Sequence, residues 1–414
     1  MQGDVEAIWR IESPKLIAAL ARLVRDVGRA EELAQDAFVA ALSQWPSEGI
    51  PRNPGAWLMT AAKRRAVDLI RRERTLDRKN EELVRAIEAQ DVPDGYAAVD
   101  EGIGDDMLRL MFVACHPVLS REARVALTLR LLAGLTTAEI ARAFLLPEAT
   151  VAQRIVRAKR SLAEARVPFE LPSSTELRDR LASVLEVLYL LFNEGYAATA
   201  GDDVLRPDLV EDALRLGRVL AELMPAEAEV HGLVALMEIQ ASRMRARVGK
   251  NGEPILLLDQ DRTRWNQLLI HRGLRALERA ERLGGALGPY ALQAAIAACH
   301  ARAATAAETD WQRIAALYDA LAEIAPSPVV ELNRAVAVGM AFGPRAGLEI
   351  ADALVDEPSL KTYHLLPAVR ADLLLKLGRK DEASAEFERA AALALNVRDR
   401  ALLRDRAAAA ASPL

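Results

Sequence analysis

An all-α architecture is what this sequence predicts, and three observations carry the prediction. Ala, Leu, Arg and Glu dominate the 414 residues while aromatics make up only 4%, a composition of helix formers rather than of strand-forming β-branched and aromatic residues. Apolar residues, 51% of the chain, recur at helical spacing along most of its length. Helix-capping signals punctuate the first 175 residues. At about 150 residues per domain the length implies two to four domains.

Charge and cysteine usage narrow the function classes. The 54 Lys and Arg against 59 Asp and Glu leave a net charge of −5, which argues against a uniformly basic nucleic-acid coat but leaves local basic patches open. Only Cys115 and Cys299 occur, so a disulfide framework is excluded and a reducing cytoplasm is the expected compartment. The start, Met1 to Glu6, is acidic where a secretory leader is basic, and no stretch reaches about 18 uninterrupted apolar residues. The expectation is a cytoplasmic protein with no membrane partner.

Taken in order, Ser13-Pro14 and Asn53-Pro54 each set a capping side chain before a proline at a first helical position. Thr136-Thr-Ala-Glu139 is a capping box, with Gly134 ending the helix before it. Ser173-Ser-Thr-Glu176 is another, following the breaker-rich Val167 to Pro172, where a domain boundary is expected. Charge is segregated between these signals. From Arg52 to Lys79 the net charge is +6, and from Asn80 to Asp106 it is −8. The acidic stretch also carries Pro93, Gly95, Gly102 and Gly104, so it reads as a flexible linker.

The strongest functional signal is Leu135 to Arg160. A short capped helix is followed by a tight turn at Leu145-Leu146, and Pro147-Glu148 opens a second helix. On that helix Val151, Ile155, Ala158 and Leu162 form a buried stripe, while Thr150, Gln153, Arg154 and Arg157, with Lys159-Arg160 at the end, lie on other faces. Hydroxyl, amide and guanidinium groups on a helix held by a turn are what major-groove reading needs. A second candidate is Asn53 to Arg74, where Trp57 precedes Lys63, Arg64, Arg65, Arg71 and Arg72; cations meet phosphates and an aromatic can stack on unpaired bases. The third is acidic and amphipathic: Leu33, Ala37 and Ala41 turn inward, and Glu31, Glu32, Gln35 and Asp36 stay outside for a basic partner.

The order of these elements resembles an extracytoplasmic-function (ECF) sigma factor of bacterial RNA polymerase over about residues 5–165. Ala30-Glu-Glu-Leu-Ala-Gln-Asp-Ala-Phe38 is similar to the family's polymerase-docking stretch, which implies core-polymerase binding through Glu31, Glu32, Leu33, Gln35, Asp36 and Phe38. Trp57-Leu58, Lys63, Ala66-Val-Asp68 and Arg71-Arg72 follow the family's minus-ten motif. Glu139-Ile-Ala141, Thr150-Val151, Arg154 and Arg157-Ala158 match its helix-turn-helix, which binds the minus-thirty-five element. The resemblance implies a region-two module over 1–79, a linker over 80–106 and a region-four module over 107–166, with core polymerase and promoter DNA as partners.

Residues 175–414 are Ala- and Leu-rich throughout. Ile314-Tyr318-Leu321, Gly347-Ala351-Leu354 and Ala383-Phe387-Ala390 share one spacing with starts 33 and 36 residues apart, and Ala213-Gly217-Leu220 fits the same frame. Ala335 and Ala371 lie 12 positions upstream of the last two units, the spacing at which paired helices of tetratricopeptide (TPR) repeats cross. The expectation is a helical-repeat domain with a protein or peptide partner. An Asn251-Gly252 turn within Val248 to Leu258 suggests a small hairpin. Leu188 to Tyr196 and Leu256 to Trp265, beside the repeats, resemble the ECF subgroup with a long C-terminal extension, which is thought to modulate sigma activity.

No enzyme reading competes. Cys115-His116 and Cys299-His300 lack a further ligand three or four residues away, so no metal is expected. Asn193-Glu194-Gly195 and Asp259-Gln-Asp261 read as structural capping and ion-pair groups. No Walker loop, dinucleotide fingerprint or nucleophile elbow occurs, and no cofactor is implied. The rival functions are a ligand-responsive helix-turn-helix regulator and a TPR-like scaffold; neither needs the helices at residues 30–38 and 57–72.

Overall fold

The computed structural model describes residues 2–72, 100–144, 146–173, 175–197, 205–250 and 252–411. It is helical throughout, and the described residues contain no strand, only an isolated antiparallel bridge between Val248 and Pro254. Two compact units divide at residues 190 and 191.

The first unit begins with α1 (Gln2–Val24), α2 (Val27–Glu48) and α3 (Pro54–Arg72), which pack on one another. Asn53 caps α3 through its side-chain oxygen, which accepts from the Ala56 amide at 3.1 Å. The expected helix start at Ser13-Pro14 is corrected: α1 runs through Pro14. A proline inside a helix forfeits one ladder bond, at about 3 kcal/mol, and burial of Val5, Leu16, Ile17 and Leu20 on either side of it offsets that cost.

Next come α4 (Asp100–Ala114), α5 (Arg121–Leu131), α6 (Thr137–Phe144) and α7 (Glu148–Glu164). Residues 73–99 lie outside the described residues, and with them most of the acidic linker expected over 80–106; its end is corrected, because residues 100–106 form the first turns of α4 and Asp106 is buried. The capping box before α6 is reciprocal: the Glu139 amide donates to Thr136 Oγ1 at 3.1 Å and the Thr136 amide to Glu139 Oε2 at 2.7 Å. Gly134, with φ of 72°, turns the chain into it. Pro147 stands as the cap of α7 rather than its first residue.

The first turns of α8 (Leu177–Tyr196) belong to this unit as well. Ser183 Oγ donates to the Cys115 carbonyl at 2.6 Å, and Arg180 donates to the Phe112 carbonyl at 3.0 Å. Glu186 pairs with Arg121 at 3.3 Å and Arg124 at 3.1 Å. These bonds satisfy carbonyls at the end of α4 that helix geometry leaves open. Cys115, in contact with Thr128 at 3.4 Å, is fully enclosed, and burial pushes its thiol up to about 11.

The second unit stacks helices on their sequence neighbours: α9 (Pro207–Leu223), α10 (Ala228–Ala241), α11 (Gln267–Arg282), α12 (Pro289–Arg302), α13 (Trp311–Ile324), α14 (Pro328–Phe342), α15 (Pro344–Ala353), α16 (Leu365–Lys376), α17 (Lys380–Leu393) and α18 (Val397–Ala411). The small residues of the repeat frame lie where helices cross. A Cβ on Gly347 of α15 would come within 2.5 Å of the Ala335 carbonyl and 2.7 Å of Gly339 Cα, both on α14. Ala371 of α16 joins Ala383, Phe387 and Ala390 of α17 in one core. Asn251 of the expected turn lies outside the described residues; around it Gly249 donates to the Glu253 carbonyl at 2.8 Å, Ile255 to the Arg247 carbonyl at 2.8 Å, and Gly252 has φ of 81°.

The bonds from Arg180, Ser183 and Glu186 generate a prediction about truncation. A fragment ending at Leu190 should be more stable than one ending at Arg166 by about 1–3 kcal/mol, read as urea midpoints. Equal midpoints would show that the first turns of α8 contribute nothing to the N-terminal unit.

Candidate nucleic-acid interface

The helix-turn-helix face is built as its residue spacing requires. On α7 the buried residues are Val151, Ile155, Ala158 and Leu162, and they hold the helix against α5 and α6. Thr150, Gln153 and Arg157 are exposed and Arg154 is half-buried. The last two basic positions are engaged differently. Arg160 pairs with Glu164 at 2.6 Å on the surface, and Lys159 is turned inward onto Glu31.

Trp57, in the first turns of α3, is half-buried and meets the fully buried Trp45 edge-on, with ring centroids 5.3 Å apart. It therefore anchors α3 to α2 while part of its ring stays accessible. Arg64 is exposed, and Arg65 pairs with Asp36 of α2 at 3.1 Å. Lys63 is half-buried; burial first, and Arg22 second, hold its ammonium below the usual range. Arg71 and Arg72 fall in the last turn of α3, and their side chains lie outside the described residues.

On α2, Glu32 and Asp36 are exposed, Leu33 is buried and Gln35 is half-buried. Phe38 stacks on Trp9 with centroids 4.5 Å apart. The expectation that Glu31 stays outside is corrected: it is 2% exposed. Its carboxylate takes Gln35 Nε2 at 2.6 Å, Arg130 Nε at 2.6 Å and Lys159 Nζ. Two cations from α5 and α7 compensate the charge that burial would otherwise penalise. Arg130 escaped the sequence reading because it stands between buried Leu129 and Leu131, in a stretch with no motif of its own.

A second polar contact joins the same modules. Asp106 of α4 is buried between Arg22 of α1 at 3.0 Å and Arg109 at 2.7 Å. Burial still pushes its carboxyl above the usual range, against the pull of both guanidinium groups. Beside these pairs a cleft of about 450 Å³ opens between Arg25, Val27 and Gly28 on one side and Lys159, Leu162 and Phe169 on the other. Among the described residues no cluster of three or more His, Cys, Asp or Glu side chains is placed to hold a metal, and no helix is long and apolar enough to cross a membrane.

Comparison with known proteins agrees with this geometry. Residues 8–75 match the family model for Sigma-70 region 2, and residues 109–162 match that for Sigma-70, region 4. Residues 180–281 match a family of unknown function, DUF6596. The uncharacterized protein R00370 of Rhizobium meliloti (strain 1021) is 43% identical over 94% of this chain and 92% of its own length. The ECF RNA polymerase sigma factor SigK of Mycobacterium sp. (strain KMS) is 31% identical over 37% of this chain and 80% of its own. The probable ECF RNA polymerase sigma factor SigI of Mycobacterium tuberculosis (strain ATCC 25618 / H37Rv) is 27% identical over 39% of this chain and 56% of its own. No solved structure gives a significant match.

The enclosed Glu31 carboxylate makes Glu31→Gln a stability mutation. Loss of its charge leaves Arg130 and Lys159 without their partner and should cost about 2 kcal/mol. The N-terminal unfolding transition of the full chain should fall in calorimetry, and Lys159→Met in the same background should recover part of the loss. An unmoved transition would mean that the three donors find equal partners elsewhere.

Proposed function

We propose a division of labour within a chain that belongs to the ECF RNA polymerase sigma factors, a family of non-enzymatic transcription factors. As an alternative sigma factor the protein directs RNA polymerase to specific promoters, so core polymerase and promoter DNA are its partners. Residues 1–79 act as region two, the part of 80–106 that precedes α4 as a tether, 107–166 as region four and 175–414 as a regulatory extension. The acidic face of α2, with Glu31, Glu32, Gln35 and Asp36 beside Leu33 and Phe38, docks on core polymerase. Trp57 with Lys63, Arg64, Arg65, Arg71 and Arg72 engages the minus-ten region, where strands separate. The face of α7 with Thr150, Gln153, Arg154, Arg157, Lys159 and Arg160 reads the minus-thirty-five element. The extension modulates this activity through protein contact. All of this takes place in the cytoplasm, and catalysis belongs to the polymerase.

The observation that carries the scheme is the division of α7 into a four-residue buried stripe and an outward polar face on a capped helix-turn-helix. Such a helix presents side chains to base edges without unfolding its own support. The two DNA elements also demand separation. Minus ten and minus thirty-five are about 25 base pairs apart, or roughly 85 Å at 3.4 Å per pair, whereas a compact unit of this length has a radius of gyration of about 16 Å. Reading both elements at once thus requires the two modules to part, releasing Glu31 to the polymerase and Lys159 to DNA.

Run-off transcription with purified core polymerase is the decisive experiment: promoter-specific transcripts are expected with the full chain and none with core alone. In duplex binding, Arg154→Ala should cost about 1–3 kcal/mol and relax preference at one base position; uniform weakening across sequences would make Arg154 a phosphate contact. Absence of promoter-specific initiation would remove the scheme altogether.

Separation of the modules has its own test. A Cβ on Gly28 would lie 4.0 Å from Lys159 Cβ, within disulfide range, and both native cysteines are buried. Gly28→Cys with Lys159→Cys should oxidise readily, and the oxidised protein should lose transcription that reduction restores. Equal transcription in both redox states would show that no opening is needed.

A further inference from the structure

Two stretches singled out in the sequence find no task in promoter recognition: the one ending at Tyr196 and the one from Leu256 to Trp265. In the C-terminal unit they meet around the end of α10, where Arg243 and Arg247 follow the helix. Cations and rings alternate. The Arg247 guanidinium lies 3.8 Å from the Tyr196 ring centroid, and Arg243 lies 5.9 Å from Tyr196 and 5.7 Å from Trp265. Arg262 lies 5.0 Å from the Trp265 ring centroid.

These cations differ from arginines of the unit that meet a carboxylate. Arg218 is paired with Glu238 at 2.7 Å and Arg370 with Glu386 at 2.6 Å. Among the described residues Arg243, Arg247 and Arg262 have no carboxylate within ion-pair distance; Glu308 and Asp399 act on Arg262 and Arg247 only from farther off. Asp261 is occupied by Thr263. Arg243 donates to Tyr196 Oη at 2.8 Å and to Gln240, and Arg262 to the His300 and Ala303 carbonyls, each at 2.7 Å. Their Nε atoms and that of Arg247 have no acceptor, nor has the indole nitrogen of Trp265. Arg243 is 9% exposed, Trp265 4% and His300 7%. Burial, then Arg243 and Arg262, push the His300 imidazole down to about 4, so at neutral pH it adds no charge to the cluster.

A buried group of like charges without a counter-charge is unfavourable, and cation–π contacts return only about 0.5–2 kcal/mol each. The unpartnered atoms of Arg243, Arg247, Arg262 and Trp265 are all donors. The complement of such a set is an acceptor-only group carrying negative charge, which guanidinium forks bind with two bonds at once. We propose that the C-terminal unit holds an oxyanion-binding site, in which Arg243, Arg247, Arg262 and the Trp265 indole take the carboxylate or phosphate group of a small acidic ligand. Such a ligand ties Arg247 and the 256–265 stretch to Tyr196 and α10, and so gives the regulatory extension a chemical input. The binding claim itself stands apart from the sigma activity.

Calorimetry of the full chain at neutral pH and constant ionic strength tests it, with chloride as reference and inorganic phosphate or succinate at about 10 mM as probes. The transition of the C-terminal unit should rise by about 3–5 °C in at least one oxyanion; the arm that responds identifies phosphate or carboxylate chemistry. Arg247→Gln, at a half-exposed position, should abolish the rise and should melt no lower than the parent in chloride, because it relieves repulsion. Trp265→Phe should keep the fold and weaken the response. No rise in either oxyanion, a rise that survives Arg247→Gln, or a lower melting point of that variant in chloride would each overturn the proposal and leave a structural stack.

Discussion

With so few aromatic residues, the helices of this chain must bury their apolar faces largely on alanine and leucine, and alanine buries area only when backbones come close. That constraint governs the rest of the architecture. It explains why Gly347 faces Gly339 and the Ala335 carbonyl at distances no side chain tolerates, and why Ala371, Ala383 and Ala390 are fully buried. Large residues are reserved for particular junctions. Trp45 locks α2 to α3 against Trp57, and Phe387 fills the gap between α16 and α17. Close backbones also leave little room for water, so every polar group drawn into such a contact has to find its partner within the protein.

Much of the architecture was legible because it depends on local chemistry. The capping box at Thr136, the α7 stripe and the positive φ at Gly252 are each decided within a few residues, by hydrogen bonds and backbone preferences that operate before any tertiary contact. What escaped depends on the third dimension. Glu31 stands among Glu32, Gln35 and Asp36 with nothing in its spacing to mark it, and only the arrival of Arg130 and Lys159 from about a hundred residues away makes its burial affordable. The α1 start failed for a related reason: Ser13-Pro14 is a sound local stop signal, but the helix on its other side has a core to reach. Of the polar and basic residues singled out, Thr150, Gln153 and Arg157 of α7 lie outward as their spacing indicated, whereas the sequence did not foresee that Lys159 would turn onto Glu31 or that Arg65 would be taken up by Asp36.

Charge burial thus follows two courses in one molecule. In the N-terminal unit the buried acids Glu31 and Asp106 meet cations from the neighbouring module, and each pair joins elements far apart in sequence. In the C-terminal unit the cations around Trp265 are met by rings and carbonyls instead. The difference is chemical: a satisfied pair is complete in itself, while a ring stabilises a cation without cancelling its charge, leaving an electrostatic demand that a further molecule is able to meet.

The use made of α7 has a consequence for how this protein can change over generations. Its 17 residues carry a stripe against α5 and α6, an outward polar face, and a lysine held by Glu31. Little of the helix is idle. Substitutions on the stripe threaten folding, those on the polar face leave folding alone and change what the helix presents outward, and those at Lys159 disturb the contact with Glu31. Surface helices of the second unit, such as α18 with its run of alanines, carry no such triple duty. Mutational drift should therefore accumulate in the extension, while changes at the inner end of α7 would have to be matched by changes in Glu31 and Arg130.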